Sequence, residues 1–321
     1  QYRDSSTDIQ CCDSSGAGCV PSRGKHPEQI MIPREMMRKI RRIQIHTSHI
    51  VDDLLAGGWH SAFKGRGIEF EEVRPYQVGD DVRSIDWNVT ARAGEPFVKL
   101  FREERELSVM LLVDLSASQD FGTQQQTKRE LVTELGATLA FSAIKNNDKV
   151  GLTLFTDQVE KSLPPRKGTR YVLRLIRELL FCTPVGRGTD LRVALEHLNR
   201  TASRRSVIFL ISDFQDAGFE KTLRVTRRKH DVIPMVVSDR REAELPNVGL
   251  LRLRDPETGR LISIDTASSR HRRLFRETMH RQTQQRQDLF RRLGLQPIQL
   301  RTGHDYVEPL QRFFHRREHQ R

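Results

Sequence analysis

Two periodicities divide the chain. From residue 107 onward, short apolar runs alternate with segments whose apolar residues recur every three or four positions. Val109–Asp114, Lys149–Phe155, Ser206–Ser212 and Val232–Val237 are the apolar runs. Their near-continuous character is that of strands buried on both faces. Lys128–Asn146, Thr169–Leu180, Asp190–Ala202 and Phe219–His230 read as helices, the first with Leu131, Leu135, Leu139 and Ile144 on its buried side. Val159–Leu163 is expected to fold back as an antiparallel partner of the strand before it. This alternation predicts a doubly wound α/β fold, a mainly parallel sheet with helices on both faces. Further on, Leu250–Leu253 and Arg260–Ile264 flank Asp255-Pro256-Glu257-Thr258-Gly259, a hairpin with turn residues at its tip. A long Arg/Gln-rich helix over Ser268–Leu293, a last strand at Gln296–Leu300 and a last helix at Val307–Arg317 complete the pattern.

The first third of the chain reads differently. Residues 1–28 are polar, bear Gly and Ser, and lack periodicity, so a disordered tail is expected. Over residues 34–56, Met36, Met37, Ile40, Ile43, Thr47, Ile50 and Leu54 recur at helical spacing, and Gly57-Gly58 stops the run. Residues 59–105 carry short extended pieces: Ile68–Arg74 with period two, Ile85-Asp86-Trp87, and Phe97–Phe101, with a turn at Val78-Gly79-Asp80-Asp81. The expected division is a tail over 1–28, an amphipathic helix with a small β-rich unit over 29–105, and the α/β domain over 106–321 with a hairpin insertion near 245–265.

Composition adds exclusions. The 321 residues contain 54 Lys and Arg against 42 Asp and Glu, a net charge of +12. With 36% hydrophobic residues, the chain has material for one or two ordinary cores. No apolar run approaches membrane-spanning length, and the amino terminus lacks a basic-then-apolar signal pattern, so a cytoplasmic protein with no membrane span is expected. Of the four cysteines, Cys11, Cys12 and Cys19 lie in the tail and Cys182 stands alone. Their spacing fits no zinc framework, and free thiols in a reducing compartment are expected.

The positive charge is concentrated. Residues 266–321 hold thirteen Arg and no Lys against five acids, and a second knot is Arg34, Arg38, Lys39, Arg41 and Arg42. Basic patches attract nucleic acid, phospholipid and acidic proteins alike. A nucleic-acid-binding module built on the Arg-rich C-terminal helices is therefore the alternative function. Its weakness is that Phe275, Phe290, Tyr306, Phe313 and Phe314, the available stacking groups, mostly fall on faces expected to be buried, and no reader motif is present.

The strand ends carry the chemistry. In a doubly wound sheet, ligands bind outside the carboxyl ends of the strands. The first such strand ends in Asp114-Leu115-Ser116-Ala117-Ser118, in which three oxygen-bearing side chains alternate with apolar ones. Ser206–Ile211 is followed by Ser212-Asp213, and Gly186-Arg187-Gly188-Thr189-Asp190 is a glycine-rich loop entering a helix. Hydroxyls with a few carboxylates, and no His or Cys, suit a hard cation: Mg²⁺, with Mn²⁺ as an admissible substitute. So few acids leave a coordination position that an incoming carboxylate would fill. No P-loop, Gly-x-Ser-x-Gly elbow or His-Glu-x-x-His is present, and Asp114 lacks the second acid two residues on that a phosphoaspartyl phosphatase would carry. Catalysis is not expected.

Asp114-x-Ser116-x-Ser118, Thr189 and Asp213 together resemble the metal-ion-dependent adhesion site of von Willebrand factor type A (vWA) domains. Gly65-Arg66-Gly67-Ile68-Glu69-Phe70 and Arg74-x-Tyr76-x-x-Gly79-Asp80-Asp81-x-Arg83-x-Ile85-Asp86-Trp87 resemble the signature of the DUF58 proteins, bacterial proteins that carry such a domain. The resemblance implies a central, mainly parallel sheet with one antiparallel edge strand, and Mg²⁺ bound by Asp114, Ser116, Ser118, Thr189 and Asp213 directly or through water. DUF58 proteins are commonly encoded beside MoxR-type AAA+ ATPases, and the pair is thought to act in assembling or maturing protein complexes. The resemblance thus implies a protein-interaction module with such an ATPase as partner. Arg74, Asp80, Asp81, Arg83 and Asp86 alternate in sign around Trp87 and are expected to form either a local ion network or part of a partner face.

Overall fold

The computed structural model describes residues 69–102, 107–122, 126–257 and 259–319, together with Ile43, Thr47, Ile50 and Val51. The expected tail, its three cysteines, the basic knot at 34–42 and Gly65–Ile68 lie outside the described residues. The four isolated residues are helical, and Ile43 and Ile50, seven positions apart, pack on the main core.

Six strands form the central sheet: β3 (Ser108–Asp114), β4 (Lys149–Phe155), β5 (Val159–Arg166), β6 (Val207–Ser212), β7 (Asp231–Ser238) and β10 (Ile298–Arg301). Their spatial order is β10-β7-β6-β3-β4-β5. All neighbours are parallel except β4 and β5, so the sheet is mainly parallel with one antiparallel edge. This is the arrangement that the vWA resemblance implies. The order reverses direction at β3, and that reversal opens the crevice in which such sheets bind ligands.

Alternation along β3 explains why the run is apolar throughout. Val109, Leu111 and Val113 enter one core, with α2 (Lys128–Lys145), α3 (Thr169–Phe181) and α8 (Val307–His319). Met110 and Leu112 enter the other, with α4 (Leu191–Thr201), α5 (Glu220–Lys229) and the end of α7 (Ser269–Arg292). A strand buried on both faces has no solvent side to mark with polar residues. α2 is buried nearly all round and starts at a capping box, with Thr127 and Glu130 each satisfying the other's backbone N–H.

Two small antiparallel pairs stand apart from this sheet. β1 (Glu69–Pro75) pairs with β2 (Phe97–Arg102), and β8 (Leu250–Arg254) with β9 (Leu261–Asp265). The expected extended piece at Ile85-Asp86-Trp87 is corrected. Ile85 makes a single bridge to Val98, but Trp87 opens the helix α1 (Trp87–Ala93). Asp86 caps that helix by accepting from Asn88 N and Val89 N, and Gly94 at φ 79° ends it. Seven residues without a buried face give no apolar periodicity to read. A short helix α6 (Arg240–Ala243), started by an Asp239–Glu242 capping box, follows β7.

Among the described residues no helix is long and apolar enough to cross a membrane. Phe290, Tyr306, Phe313 and Phe314 are buried in the two cores, and Phe275 is half-buried.

Candidate metal centre

The carboxyl ends of β3 and β6 bring four of the five expected ligands together. Asp114 is the last residue of β3 and is fully buried. Its Oδ1 accepts from Ser116 N at 2.8 Å, and its Oδ2 accepts from Ser212 Oγ at 2.6 Å. The Ser116 and Ser118 hydroxyls lie 3.0 Å apart, and Ser118 Oγ donates to Asp213 Oδ2 at 3.0 Å. Two carboxylates and two hydroxyls from strand ends 95 residues apart thus share one hydrogen-bonded cluster.

Thr189 is placed differently. Its loop packs against the Ser116–Ser118 turn, where Ala117 N donates to Arg187 O, and against the residues after β4, where Asp190 N donates to Thr156 O. Gly186 permits this approach: a Cβ there would meet Thr156 Oγ1 at 2.2 Å and Asp157 Oδ1 at 1.9 Å. The Thr189 hydroxyl, however, donates to Glu257 Oε1 at 2.9 Å, the acid at the tip of the β8–β9 hairpin. Asp190 caps α4, and Asp216 accepts from Leu191 N.

Four further side chains join the cluster or its loop without a local sequence signal. Lys128 is fully buried, and its Nζ donates to Asp213 Oδ2 at 2.9 Å and to Glu242 Oε1 at 2.5 Å. Arg286 Nη1 donates to the Asp213 carbonyl at 2.8 Å. Glu257 reaches Thr189. Ser212 was visible as a strand-end hydroxyl, but its role as donor to Asp114 was not. Lys128 opens an apolar helix and Glu257 sits in a turn, where lysine and glutamate ordinarily face water. No local signal marks them.

The electrostatics follow from burial. Burial, followed by the charge of Asp213, pushes the Asp114 carboxyl up to about 7, against the opposing hydrogen bonds from Ser212 and Ser116. Burial works against the Lys128 ammonium, but Asp213 and Glu242 outweigh it and hold its pKa above the ordinary value. Burial raises Glu242 despite Lys128, and raises Glu257 despite the Thr189 hydrogen bond, with Asp213, Asp255 and Asp216 adding repulsion. The turn after β6 is held out of ordinary geometry, with Phe214 at φ 55° packed edge-on against Phe290 at 5.2 Å. An open cavity of about 1050 Å³ adjoins the cluster, with Asp213, Glu242 and Arg286 in its wall and α7 along one side.

These residues fit a hard cation. The donors beside Asp114 are all oxygens, the type a hard cation takes, while at Asp213 the Lys128 ammonium already supplies one positive charge. Among the described residues no group of three or more His, Cys, Asp and Glu is arranged as a metal site. An ion held there would have Asp114 and Asp213 as its protein carboxylates, Asp213 shared with Lys128, and water or a further carboxylate would complete its shell.

The charged residues flanking α1 make the following contacts among the described residues. Arg74 makes a bidentate pair with Asp80, at 2.8 and 2.7 Å. Asp81 caps the turn at Val82–Ser84 by accepting from Arg83 N, and Asp86 pairs with Lys99 at 3.2 Å. The Arg83 side chain is exposed, and Trp87 is 66% exposed.

Fold and cluster together define an α/β protein with an oxygen-lined crevice at the carboxyl edge of a mainly parallel sheet. The chain belongs to the DUF58 family, described as proteins of unknown function, whose pattern it matches over residues 72–285. It is 33% identical over 282 residues to the uncharacterised protein Rv1480 of Mycobacterium tuberculosis, covering 85% of this chain and 87% of that one. It is 26% identical over 134 residues to the uncharacterised protein YeaD of Bacillus subtilis, covering 42% of this chain and 31% of that one. Among solved structures, an aerotolerance-related membrane protein from Bacteroides fragilis aligns with a TM-score of 0.46 at 18% identity, covering 67% of this chain and 100% of that one. Proximal thread matrix protein 1 from the mussel byssus, with a zinc-occupied adhesion-site motif, aligns with a TM-score of 0.34 at 15% identity, covering 41% of this chain and 38% of that one.

Proposed function

We propose that the chain is a non-catalytic, metal-dependent protein-interaction module. Asp114, Ser116, Ser118 and Asp213, with Thr189 in the adjoining loop, would hold Mg²⁺ or Mn²⁺. When bound, the ion would supply a positive charge with a position open to an acidic side chain of a partner protein. Family resemblance makes a MoxR-type AAA+ ATPase the first candidate partner, in assembly or maturation of protein complexes. In this reading the module works in the cytoplasm, beside that ATPase.

The observation that carries the reading is the convergence of Asp114, Ser116, Ser118 and Asp213 in one buried cluster at the sheet's carboxyl edge. A charge-assisted contact through an ion gives specificity, while the surrounding surface provides most of the affinity. The test is calorimetric titration of the full chain with Mg²⁺ and Mn²⁺, beside Asp114→Ala checked for folding by circular dichroism. One-site binding that the folded variant loses is expected. Equal binding by wild type and variant would sink the reading.

A further inference from the structure

We propose that a basic cavity at the amino end of the central sheet binds a compound carrying clustered phosphates. β6 and β7 begin beside this cavity, whereas Asp213 follows the far end of β6, so the site is separate from the candidate metal centre. The inference goes beyond the metal-dependent reading and stands without it.

The first observation is where the arginines meet. A cavity of about 600 Å³ is lined by Arg205, Arg224, Arg227, Arg228, Arg292 and Arg317. They come from four places in the chain: the loop before β6, α5, the end of α7 and the end of α8. Among the described residues Asp231 is the one acid in that wall, and Arg317 pairs with it. Arg227 Nη2 donates to the Gly294 carbonyl at 3.2 Å, and Arg292 approaches Glu220 at 4.0 Å. Arg205, Arg224 and Arg228 meet no acid among the described residues. Helix electrostatics explain only part of this. The carbonyl ends of helices favour cations, and Arg227, Arg228, Arg292 and Arg317 lie in last turns. Arg224 lies in the middle of α5 and Arg205 in a loop, beyond that reach. Arg224 and Arg228 also stand one helical turn apart, a like-charge spacing that opposes the helix unless an anion lies beside it.

The second observation is a buried donor in the same wall. His230 is 2% exposed, and burial, with repulsion from Lys229 and Arg205, holds its pKa below the ordinary histidine value. Its Nδ1 accepts from Ser206 N at 3.3 Å, so the proton of the neutral ring is on Nε2, which has no partner. An anion seated in the cavity, or a water that it holds, would give this N–H an acceptor.

The chemistry selects the ligand. A guanidinium fork matches two phosphate oxygens at once, and several forks around one concavity suit several phosphates better than a single carboxylate. The aromatic in the wall, Phe313, is buried and lies under Arg317 at 5.8 Å, so it offers no face for stacking bases, which disfavours single-stranded nucleic acid. A soluble polyphosphate compound and a phosphorylated lipid headgroup share the chemistry that remains.

The test is calorimetric titration of the full chain with pyrophosphate at physiological salt. Wild type is compared with the double variant Arg205→Gln/Arg224→Gln and with Arg252→Gln/Arg254→Gln, which removes the same charge from exposed positions on β8. Circular dichroism checks that each is folded. The expected result is one-site binding, weakened about tenfold or more in the cavity variant, the scale of losing charge-assisted hydrogen bonds, and unchanged in the β8 variant. Sedimentation with vesicles containing a phosphoinositide, beside vesicles containing phosphatidylserine alone, then separates the two sources. Phosphoinositide-dependent sedimentation that pyrophosphate reverses makes the ligand a headgroup, and pyrophosphate binding without sedimentation makes it a soluble compound. No pyrophosphate binding by wild type overturns the proposal. Equal weakening in the two double variants also overturns it, because net charge alone would then attract the anion. Duplex DNA binding that the cavity variant loses and pyrophosphate does not displace would make this surface a nucleic-acid interface instead.

Discussion

Two acid-rich regions of this chain meet water in opposite ways. Around α1, Asp80, Asp81 and Asp86 find partners within about a dozen residues: Arg74, a backbone turn, and a helix start with Lys99. At the sheet's carboxyl edge, Asp114, Asp213 and Glu242 are buried or nearly so, and besides local backbone amides each meets a side chain 85 to 114 residues away. In the first set, the Arg74 hydrogen bond holds Asp80 below its usual range, and for Asp86 desolvation is outweighed by Lys99 and the α1 amides with the same result. The second set contains an acid pushed up to about 7 and a lysine sealed from solvent. Acids that pair locally solve their own solvation, whereas those held together by a fold depend on a distant partner such as Lys128.

The comparison can be broken most forcefully at Lys128. Replacing it with Met removes the buried ammonium and leaves Asp213 and Glu242 uncompensated. The expected loss is about 3–5 kcal/mol in urea unfolding, the scale for breaking one side of a buried pair. A loss under about 1 kcal/mol would mean that water reaches the cluster.

Next comes pH. In chelator, folded Asp114 keeps a proton that the unfolded chain gives up, so the folded state binds more protons between about 4 and 7. Its contribution is present below pH 4 and is lost as pH rises through 7. Stability in chelator should therefore fall across that window, with a shallower slope in Asp114→Asn and with Mg²⁺ restoring the wild type near pH 7. Unfolding curves at several pH values measure this directly.

Gly186→Ala should cost about 1–3 kcal/mol, because Thr156 is fully buried and cannot yield to the new methyl group. It should also weaken Mn²⁺ binding by displacing the Thr189 loop, which calorimetry reads separately from stability. The smallest effect is expected at Arg74→Ala. Its pair with Asp80 is partly exposed, so the unfolding midpoint should move least of the set, and less at high salt than at low. A large shift there would show that the pair is screened less than its exposure implies.

Much of the fold was legible. β4 has the bounds that its apolar run predicts, and α2, α3, α4 and α5 agree within a residue at each end. Those elements announce themselves by local periodicity and by caps such as Thr127 and Asp190. α1 is not legible in the sequence, because a seven-residue helix with no buried face leaves no stripe and its cap, Asp86, falls within an extended-looking run. At the candidate site, Asp114, Ser116 and Ser118 were readable from alternation at a strand end. Asp213 was readable from its place after the next buried strand.

The sequence by itself therefore determined which segments form the sheet, in what order along the chain, and which oxygens stand at its carboxyl edge. These depend on neighbours two to four residues away, and backbone geometry sets the spacing. Only the tertiary structure decided that Lys128 would be buried against Asp213 and Glu242, and that a hairpin glutamate would turn to Thr189. Sheet order sets those meetings. Burial then reverses the ordinary preferences of the residues involved, because a charge removed from water is governed by whichever partner the fold brings to it.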